Sequence, residues 1–177
     1  MNWDQYFHDL CIAVSKNSKC LSRQIGAILV QDKTVIGSGY NGPPRGIPHC
    51  DYRAIEGIDP FLIKRAKELA VNLVEGTCPR RTFGFKSGEG LEWCVAGHAE
   101  RNVLINSARL GIKTLETKMY MNCGIPCTPC LVEIINAGVE EIIVTKFHGY
   151  DLMSEYLLRH SGLKVRVYDF KTGVSSR

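Results

Sequence analysis

Two short motifs, each at the predicted start of a helix, most constrain how this chain folds. They are His98-Ala99-Glu100 and Pro126-Cys127-Thr128-Pro129-Cys130. One imidazole and two thiolates suit Zn²⁺, and a catalytic zinc commonly combines three such protein ligands with a water molecule. The Cys-x-x-Cys spacing lets both sulfurs face one point, where the helix dipole favours thiolates. The sequence therefore predicts that both helix starts meet around a zinc ion held by His98, Cys127 and Cys130.

Glu100 distinguishes a catalytic zinc from the plainer alternatives, which are a closed structural site and a redox Cys-x-x-Cys pair. It lies two residues beyond the histidine, near enough to reach a metal-bound water without binding the metal. A carboxylate there can take the proton of that water and deliver it to a leaving group. A structural site needs a fourth protein ligand, and the nearby Cys123 is predicted to be a buried strand residue. We therefore predict that Glu100 is catalytic.

The hydrophobic pattern predicts a mixed α/β fold. Apolar residues at helical spacing indicate helices over 3–17, from Pro60 to near Gly76, from His98 onward, over 128–137 and over 152–159. Strands are expected at 25–30, 34–40, 118–122, 141–145 and 165–168, with a hairpin turn at 31–33 and a loop over 77–92. Strands joined by helical crossovers should be parallel. These elements predict a single domain, 1–177, folded as a three-layer α/β/α sandwich with a five-stranded mixed sheet.

Composition narrows the functional class. The 177 residues are 45% hydrophobic and 23% charged, which is ordinary for a folded domain. The net charge of +4 is scattered along the chain and suits a small anionic ligand at least as well as a nucleic-acid polymer. No apolar stretch approaches membrane-spanning length and the N-terminal residues lack a secretory pattern, so we expect a cytoplasmic protein. In a reducing compartment, eight cysteines indicate metal ligands before disulfides.

Together the two motifs form a His-x-Glu and Pro-Cys-x-x-Cys pattern, through which the chain resembles the cytidine/deoxycytidylate deaminase superfamily. The resemblance covers nearly the whole chain and implies the cytidine-deaminase fold. It also implies a hydrolytic reaction in which water attacks C4 of cytosine, Glu100 protonates N3 and then the amine, and ammonia leaves. The segment 54–90, a helix and a glycine-rich loop, is an insertion relative to shorter members. Its role stays open among covering a second zinc, contacting a neighbouring subunit and decorating the surface.

The sequence Gly39-Tyr40-Asn41-Gly42-Pro43-Pro44-Arg45-Gly46 resembles a loop of the deoxycytidylate deaminases within this superfamily. That resemblance implies dCMP as substrate, with the dUMP product supplying thymidylate synthesis. Glycines let backbone amides approach a phosphate closely. The implied substrate contacts are Asn41, Ala99, Arg23, Gln24 and Tyr150.

The remaining cysteines suggest a second metal, because deoxycytidylate deaminases commonly carry an additional structural zinc. The resemblance places its ligands at Cys20, Cys50 and Cys94. The fourth ligand stays open between Cys78 and His49.

The same resemblance implies a homohexamer activated by dCTP and inhibited by dTTP with Mg²⁺. Such regulation needs a second nucleotide site that differs between two subunit arrangements. The residues expected at that site are Tyr40, Asn41, Gly42, Arg45, Gly46, Asn102 and Arg109. The plain alternative for Arg109 is a solvated cation in the last turn of its helix, where the dipole favours positive charge.

Three other functions stay open at this point. A deaminase that acts on dCTP as well as dCMP shares the same motifs. A polynucleotide-editing deaminase for tRNA or single-stranded DNA should have a basic, aromatic-lined surface, which neither the charge distribution nor 8% aromatic residues suggests. A non-catalytic zinc-binding interaction module has no need of Glu100.

Overall fold

The computed structural model describes residues 2–86, 88–169 and 172–176. The chain divides into two compact units that alternate along the sequence. The first unit comprises Met1–Ser18, Ile25–Asn41 and His98–Arg177, and the second comprises Lys19–Gln24 and Gly42–Gly97. Among the described residues, no helix combines the length and the apolar character that crossing a bilayer requires.

The described residues form helices and strands in a largely alternating order. In chain order they are α1 (Trp3–Ser15), β1 (Gly26–Gln31), β2 (Thr34–Tyr40), α2 (Pro60–Glu68), α3 (Pro79–Thr82), a 3-10 turn (Leu91–Trp93), α4 (Ala99–Arg109), β3 (Lys118–Met121), α5 (Thr128–Asn136), β4 (Glu141–Val144), α6 (Leu152–His160), β5 (Lys164–Asp169) and β6 (Val174–Ser176). The helices α2 and α3 and the 3-10 turn belong to the second unit, and all the other elements belong to the first.

The sheet of the first unit has the strand order β2-β1-β3-β4-β5-β6. Strand β1 is antiparallel to both β2 and β3, whereas β3, β4 and β5 are mutually parallel. The parallel pairs are those joined by the crossover helices α5 and α6, which confirms the predicted mixed sheet. The predicted count of five strands is wrong within the described residues, because β6 adds a sixth along β5. With three residues, β6 is too short to show an alternating pattern in the sequence.

The two faces of the sheet carry separate apolar cores, which confirms the three layers. Along β1, Ala27 and Leu29 pack with residues of α4, α5 and α6, and Ile28 and Val30 pack with residues of α1. Met119 and Tyr120 on β3, and likewise the neighbouring residues of β4, divide between the two cores in the same way. This alternation follows from the two-residue period of a strand.

Helix α2 ends earlier than the sequence predicts. The apolar pattern extends to Val74, but the helix stops at Glu68 and the backbone turns at Ala70, where φ is +51°. The amides of Ala70 and Val71 donate back to the carbonyls of Lys67 and Ala66, the paired bonds of a Schellman motif. Since such a cap usually has glycine at the left-handed position, alanine gave no sequence signal. The predicted loop over 77–92 also contains α3 and most of the 3-10 turn.

Candidate active site and a second cysteine cluster

The ligand trio, His98, Cys127 and Cys130, is assembled at two helix N-termini of the first unit. His98 is the N-cap residue of α4 and Cys127 is the N-cap residue of α5, both with extended backbone directly before the helix. The His98 Nδ1 atom lies 3.5 Å from Cys127 Sγ and 3.3 Å from Cys130 Sγ, and the two sulfurs are 3.5 Å apart. Tetrahedral Zn²⁺ with Zn–N and Zn–S bonds of ~2.0 and ~2.3 Å separates its nitrogen and sulfur ligand atoms by roughly 3.5–3.8 Å, close to the distances in the trio. The trio therefore has the chemistry and the spacing of a zinc site.

Electrostatics around the trio also favour a bound cation. The hydrogen bond between Cys127 and Cys130 holds the pKa of the Cys127 thiol well below its ordinary value, against the opposing effect of burial, and His98 contributes in the same direction. The hydrogen bond with Cys127 raises the pKa of His98, again against burial. A thiol that ionises readily is a ready metal ligand because the thiolate is the form that binds.

Glu100 lies in the first turn of α4, and its negative charge acts on both His98 and Cys130. It is 4% exposed, and Ala99 beside it is fully buried. A carboxylate is seldom buried without a role or a partner. Its role as a general acid and base stays a prediction.

A family model for the zinc-binding region of cytidine and deoxycytidylate deaminases matches residues 1–146. The chain belongs to this deaminase family. The deoxycytidylate deaminase of Schizosaccharomyces pombe is 29% identical over 167 residues, covering 94% of this chain and 44% of that protein. The enzyme of Mycobacterium phage D29 is 30% identical over 150 residues, covering 82% of this chain and 95% of that protein.

The solved structures agree on the fold. The dCMP deaminase of cyanophage S-TIM5 superposes with a TM-score of 0.60 at 18% sequence identity, covering 92% of this chain and 94% of that one. The chain spans 44% and 46% of the length of the matched Schizosaccharomyces pombe and Saccharomyces cerevisiae deaminases.

Within this deaminase fold, Gly39 is required for helix packing. A Cβ atom at Gly39 would lie 2.4 Å from the backbone nitrogen of Val103 and 2.8 Å from the carbonyl oxygen of Ala99. Strand β2 therefore approaches the backbone of α4 where only glycine fits. The first glycine of the loop motif thus positions the helix that begins with Ala99 and Glu100.

Asn41, the predicted substrate contact at the end of β2, makes structural hydrogen bonds. Its side-chain oxygen accepts a 2.8 Å bond from the amide of Ile25, and its carbonyl accepts a 2.6 Å bond from the hydroxyl of Ser18. Nearby, the side-chain oxygen of Asn122 accepts from the amide of Gly26 at 2.8 Å. These two asparagines fix the start of β1, and no pattern in the sequence pointed to Asn122.

Tyr150 is placed by its neighbour Asp151, a residue that the sequence analysis missed. The Asp151 carboxylate accepts hydrogen bonds from the Ser154 amide at 2.7 Å and from the Thr128 amide at 3.2 Å, so it caps both α6 and α5. The Ser154 hydroxyl lies 3.1 Å from the amide nitrogens of Tyr150 and Asp151. Tyr150 therefore lies in a loop that Asp151 ties to Thr128, the residue after Cys127. The Asp-x-x-Ser pattern of a capping box was the available signal.

The residues predicted to form an effector site are distributed over both units. In the first unit, the side-chain amide of Asn102 donates a hydrogen bond of 2.7 Å to the backbone carbonyl of Tyr40. Arg109 is exposed in the last turn of α4. In the second unit, the Gly42 backbone pairs with Gly97 in two hydrogen bonds of 3.1 and 2.8 Å.

The other predicted nucleotide contacts of the second unit lie at its surface. Arg23, Gln24, Arg45 and Gly46 are exposed. The contacts and exposure of these residues leave their roles as predictions.

The second unit holds four further cysteines, Cys20, Cys50, Cys78 and Cys94, which we call the cysteine cluster; all four are free thiols and partly exposed. The Cys50 thiol is close enough to Cys94 and Cys78 to interact with both electrostatically. Burial raises the pKa of Cys50, and a contact with Arg53 opposes that rise. In the part of the chain that the structure describes, the ligand trio is the group of potential metal ligands in which at least three ligand atoms all lie within 4.8 Å of one another. The second zinc site therefore stays a prediction.

His49 and Arg53 complete the surroundings of this cluster. The Nδ1 atom of His49 is buried and has no hydrogen-bond partner among the described residues, as expected for a nitrogen kept for a metal. Arg53 is 6% exposed and donates hydrogen bonds to Asp59, to the carbonyl of Trp93 and to the sulfur of Cys50. Arg53 was not predicted as a functional residue, because the pattern around it is that of a loop.

Proposed function

We propose that this protein catalyses the hydrolytic deamination of dCMP to dUMP and ammonia, and so supplies dUMP for thymidylate synthesis in the cytoplasm. The observation that carries the proposal is the ligand trio with the buried carboxylate of Glu100 beside it. The match to the deoxycytidylate deaminase of phage D29, which covers 82% of this chain and 95% of that protein, supports the choice of substrate. The S-TIM5 dCMP deaminase, which shares the fold, has been crystallised with dCMP and dUMP.

In this proposal His98, Cys127 and Cys130 hold a zinc ion, which supplies the positive charge that brings the pKa of a water molecule towards neutrality. Glu100 takes the proton as the water oxygen adds to C4 of the cytosine ring. The carboxylic acid then protonates N3, and the resulting carboxylate takes the proton of the new C4 hydroxyl and delivers it to the exocyclic amine. The C4–N bond breaks, ammonia leaves and a carbonyl remains at C4. Burial of Glu100 supports this role because it keeps bulk water from competing for the proton.

We further propose that the nucleotide is contacted by Asn41, Ala99, Arg23, Gln24 and Tyr150. The hydrogen bond from the Thr128 amide to Asp151 supports the assignment of Tyr150, since it fixes the loop that carries Tyr150 beside Cys127. A cationic site of this kind favours the 5′-monophosphate over the nucleoside, because its donors stay unpaired when the phosphate is absent.

The cysteine cluster is proposed to hold a second, structural zinc through Cys20, Cys50 and Cys94. The interaction of Cys50 with Cys94 supports the set, and the interaction of Cys50 with Cys78 favours Cys78 as fourth ligand. The buried Nδ1 atom of His49 makes it the alternative fourth ligand.

We also propose that the protein is a homohexamer that dCTP activates and that dTTP with Mg²⁺ inhibits. Tyr40, Asn102 and Arg109 contribute to this effector site, together with Asn41, Gly42, Arg45 and Gly46. The hydrogen bond from the side-chain amide of Asn102, on α4, to the backbone carbonyl of Tyr40 supports a direct connection from that site to α4. When dCTP is titrated into an assay at subsaturating dCMP, we expect activation, and the sigmoidal dependence of rate on dCMP should become hyperbolic. Simple competition by dCTP, together with formation of dUTP, would instead make dCTP a substrate.

The substrate is tested with a panel of dCMP, dCTP, deoxycytidine and single-stranded DNA at one zinc-loaded enzyme concentration. We expect the highest kcat/KM for dCMP and a large loss for deoxycytidine, carried mainly by KM. Comparable turnover of the nucleoside, or preferred turnover of cytosine in DNA, would place the enzyme in another branch of the family. The absence of deamination on every substrate would refute the proposed activity.

A further inference from the structure

Arg53 is a buried cation that joins three segments of the second unit. Its side chain is 7% exposed, and its guanidinium forms an ion pair with Asp59 in which Nη2 lies 2.8 Å from the carboxylate. The Nη1 atom donates to the carbonyl of Trp93 at 2.9 Å and to the sulfur of Cys50 at 3.9 Å. One side chain thus contacts Cys50 directly and holds the residue immediately before Cys94.

Asp59 anchors this guanidinium from within the insertion. Its carboxylate accepts from Nε of Arg53 at 2.9 Å and, through the other oxygen, from the amide of Leu62 at 2.9 Å. Asp59 is therefore both the N-cap of α2 and the counter-ion of Arg53. The insertion supplies the group that orients Arg53.

A second buried guanidinium holds the other end of the segment that leads to Cys94. Arg80 on α3 is 8% exposed and donates to the carbonyl of Glu89 at 2.9 Å. The short stretch between Glu89 and Cys94, which includes the 3-10 turn, is thus fixed at both ends by arginines. Contacts of this kind, just outside the ligands, orient the residues that bind a metal.

We propose that Arg53 is the positioning residue of the second metal site and that the 54–90 insertion exists to hold it there through Asp59. This inference rests on the structural zinc proposed above for the cysteine cluster. An arginine suits the role because its planar fork can serve a carboxylate, a carbonyl and a sulfur at once, which the compact ammonium of lysine cannot do. Its charge also offsets the negative charge that thiolates bring to a metal site.

The test compares Arg53→Lys and Arg53→Met with the control Lys64→Met, which removes an exposed cation from the nearby helix α2 of the same unit. Zinc per chain is measured by elemental analysis, and release is followed with a chelating dye. Loss of such an outer contact typically weakens metal affinity about 10–100-fold. We expect that weakening for one of two zinc ions in both Arg53 variants, and wild-type behaviour in the control.

Site-resolved alkylation identifies which zinc is affected. In the Arg53 variants, mass spectrometry should show faster modification of Cys50 and Cys94, with Cys127 and Cys130 protected as in the wild type. A merely structural role for Arg53 would lower the unfolding temperature without this selective exposure. Asp59→Asn provides a variant for the case that Arg53→Met does not fold, because asparagine retains the helix cap while removing the counter-ion.

Unchanged release of both zinc ions from Arg53→Lys and Asp59→Asn would overturn the inference. So would a wild-type protein that binds one zinc per chain and deaminates dCMP, and that result would leave the proposed activity intact. A protein with two zinc ions, selective loss in the Arg53 variants and no deamination would refute the activity and support the positioning role.

Discussion

The guanidinium of Arg166 on β5 binds the carboxylate of Asp4 in the first turn of α1, although 162 positions separate them in the chain. Arg166 also donates to Glu141 on β4 at 3.1 Å, and the Tyr120 hydroxyl on β3 donates to Asp4 at 2.8 Å. Side-chain exposure is 16% for both Arg166 and Asp4. This network joins α1 to the three parallel strands, and its stability contribution should depend on pH.

The pH dependence follows from the shifted pKa of Asp4. Burial alone would raise that pKa, but hydrogen bonds from Arg166, Ser175 and Tyr120 outweigh it and the pKa is lowered from 3.8. A carboxyl with a lower pKa in the folded state stabilises fully above its unfolded value and loses that contribution as pH falls through the folded value. We therefore expect Asp4→Asn to destabilise by roughly 1.5–3 kcal/mol at neutral pH, with the difference vanishing well below pH 3.8.

Urea unfolding of wild type and Asp4→Asn from neutral to acidic pH measures this difference, and metal loss common to both proteins cancels. Asp9→Asn, which changes an exposed carboxylate on the same helix, is the control. A difference that stays constant down to the most acidic pH would contradict the assignment.

Glu100→Gln should retain the catalytic zinc and lose about 10²–10⁴-fold in kcat, because the amide keeps the shape of the side chain but cannot carry the proton. Zinc content and steady-state turnover of dCMP are the two measurements. Glu133→Gln, on the partly exposed ion pair with Arg101, is the matched control and should turn over normally. Near wild-type activity of Glu100→Gln would remove Glu100 from the mechanism.

Gly39→Ala should displace α4, because the added Cβ meets the backbone of Val103 and Ala99 rather than a movable side chain. Overpacking of this kind costs about 1–3 kcal/mol. We expect a lower unfolding free energy together with faster zinc release, since α4 begins directly after His98. Ser38→Ala on the same strand adds no volume and should leave both quantities unchanged. A stable Gly39→Ala protein with normal zinc release would show that β2 and α4 can separate freely.

Asp151→Ala should weaken the N-termini of α5 and α6 together, because one carboxylate caps both. Loss of an N-cap costs about 0.5–2 kcal/mol. We also expect a higher KM for dCMP with a smaller change in kcat, since the loop that carries Tyr150 loses its tie to Thr128. The exposed Glu155→Gln on α6 is the control. A normal KM in the alanine variant would argue against Tyr150 as a substrate contact.

Local patterns were sufficient for most of the fold. The apolar run from Ile25 to Val30 predicts a strand, and the structure buries Ala27 and Leu29 in one core and Ile28 in the other. The ligand trio was also predictable, because the residue types and their positions at helix starts are visible locally. Its assembly into one zinc-sized site agrees with that expectation.

The features that were not predicted depend on contacts between distant positions or on unusual backbone. Ala70 ends α2 in a conformation that favours glycine, so the composition there continues to indicate helix. Arg53 lies in a loop, and its importance is visible only from its contacts with Asp59 and Trp93. Likewise, nothing in the spacing of Asp4 and Arg166 relates the two residues, since only the strand order brings β5 beside β4 and α1 over the sheet.

The alternation of the two units along the chain also sets an order of synthesis. Every cysteine of the cluster precedes Gly97, where the second unit ends, whereas the ligand trio begins at His98 and is complete only at Cys130. A growing polypeptide therefore presents all four cluster thiols to the ribosome exit before any of the trio. Since compact units fold as they emerge, the second unit leaves the ribosome complete while part of the first unit is still to follow.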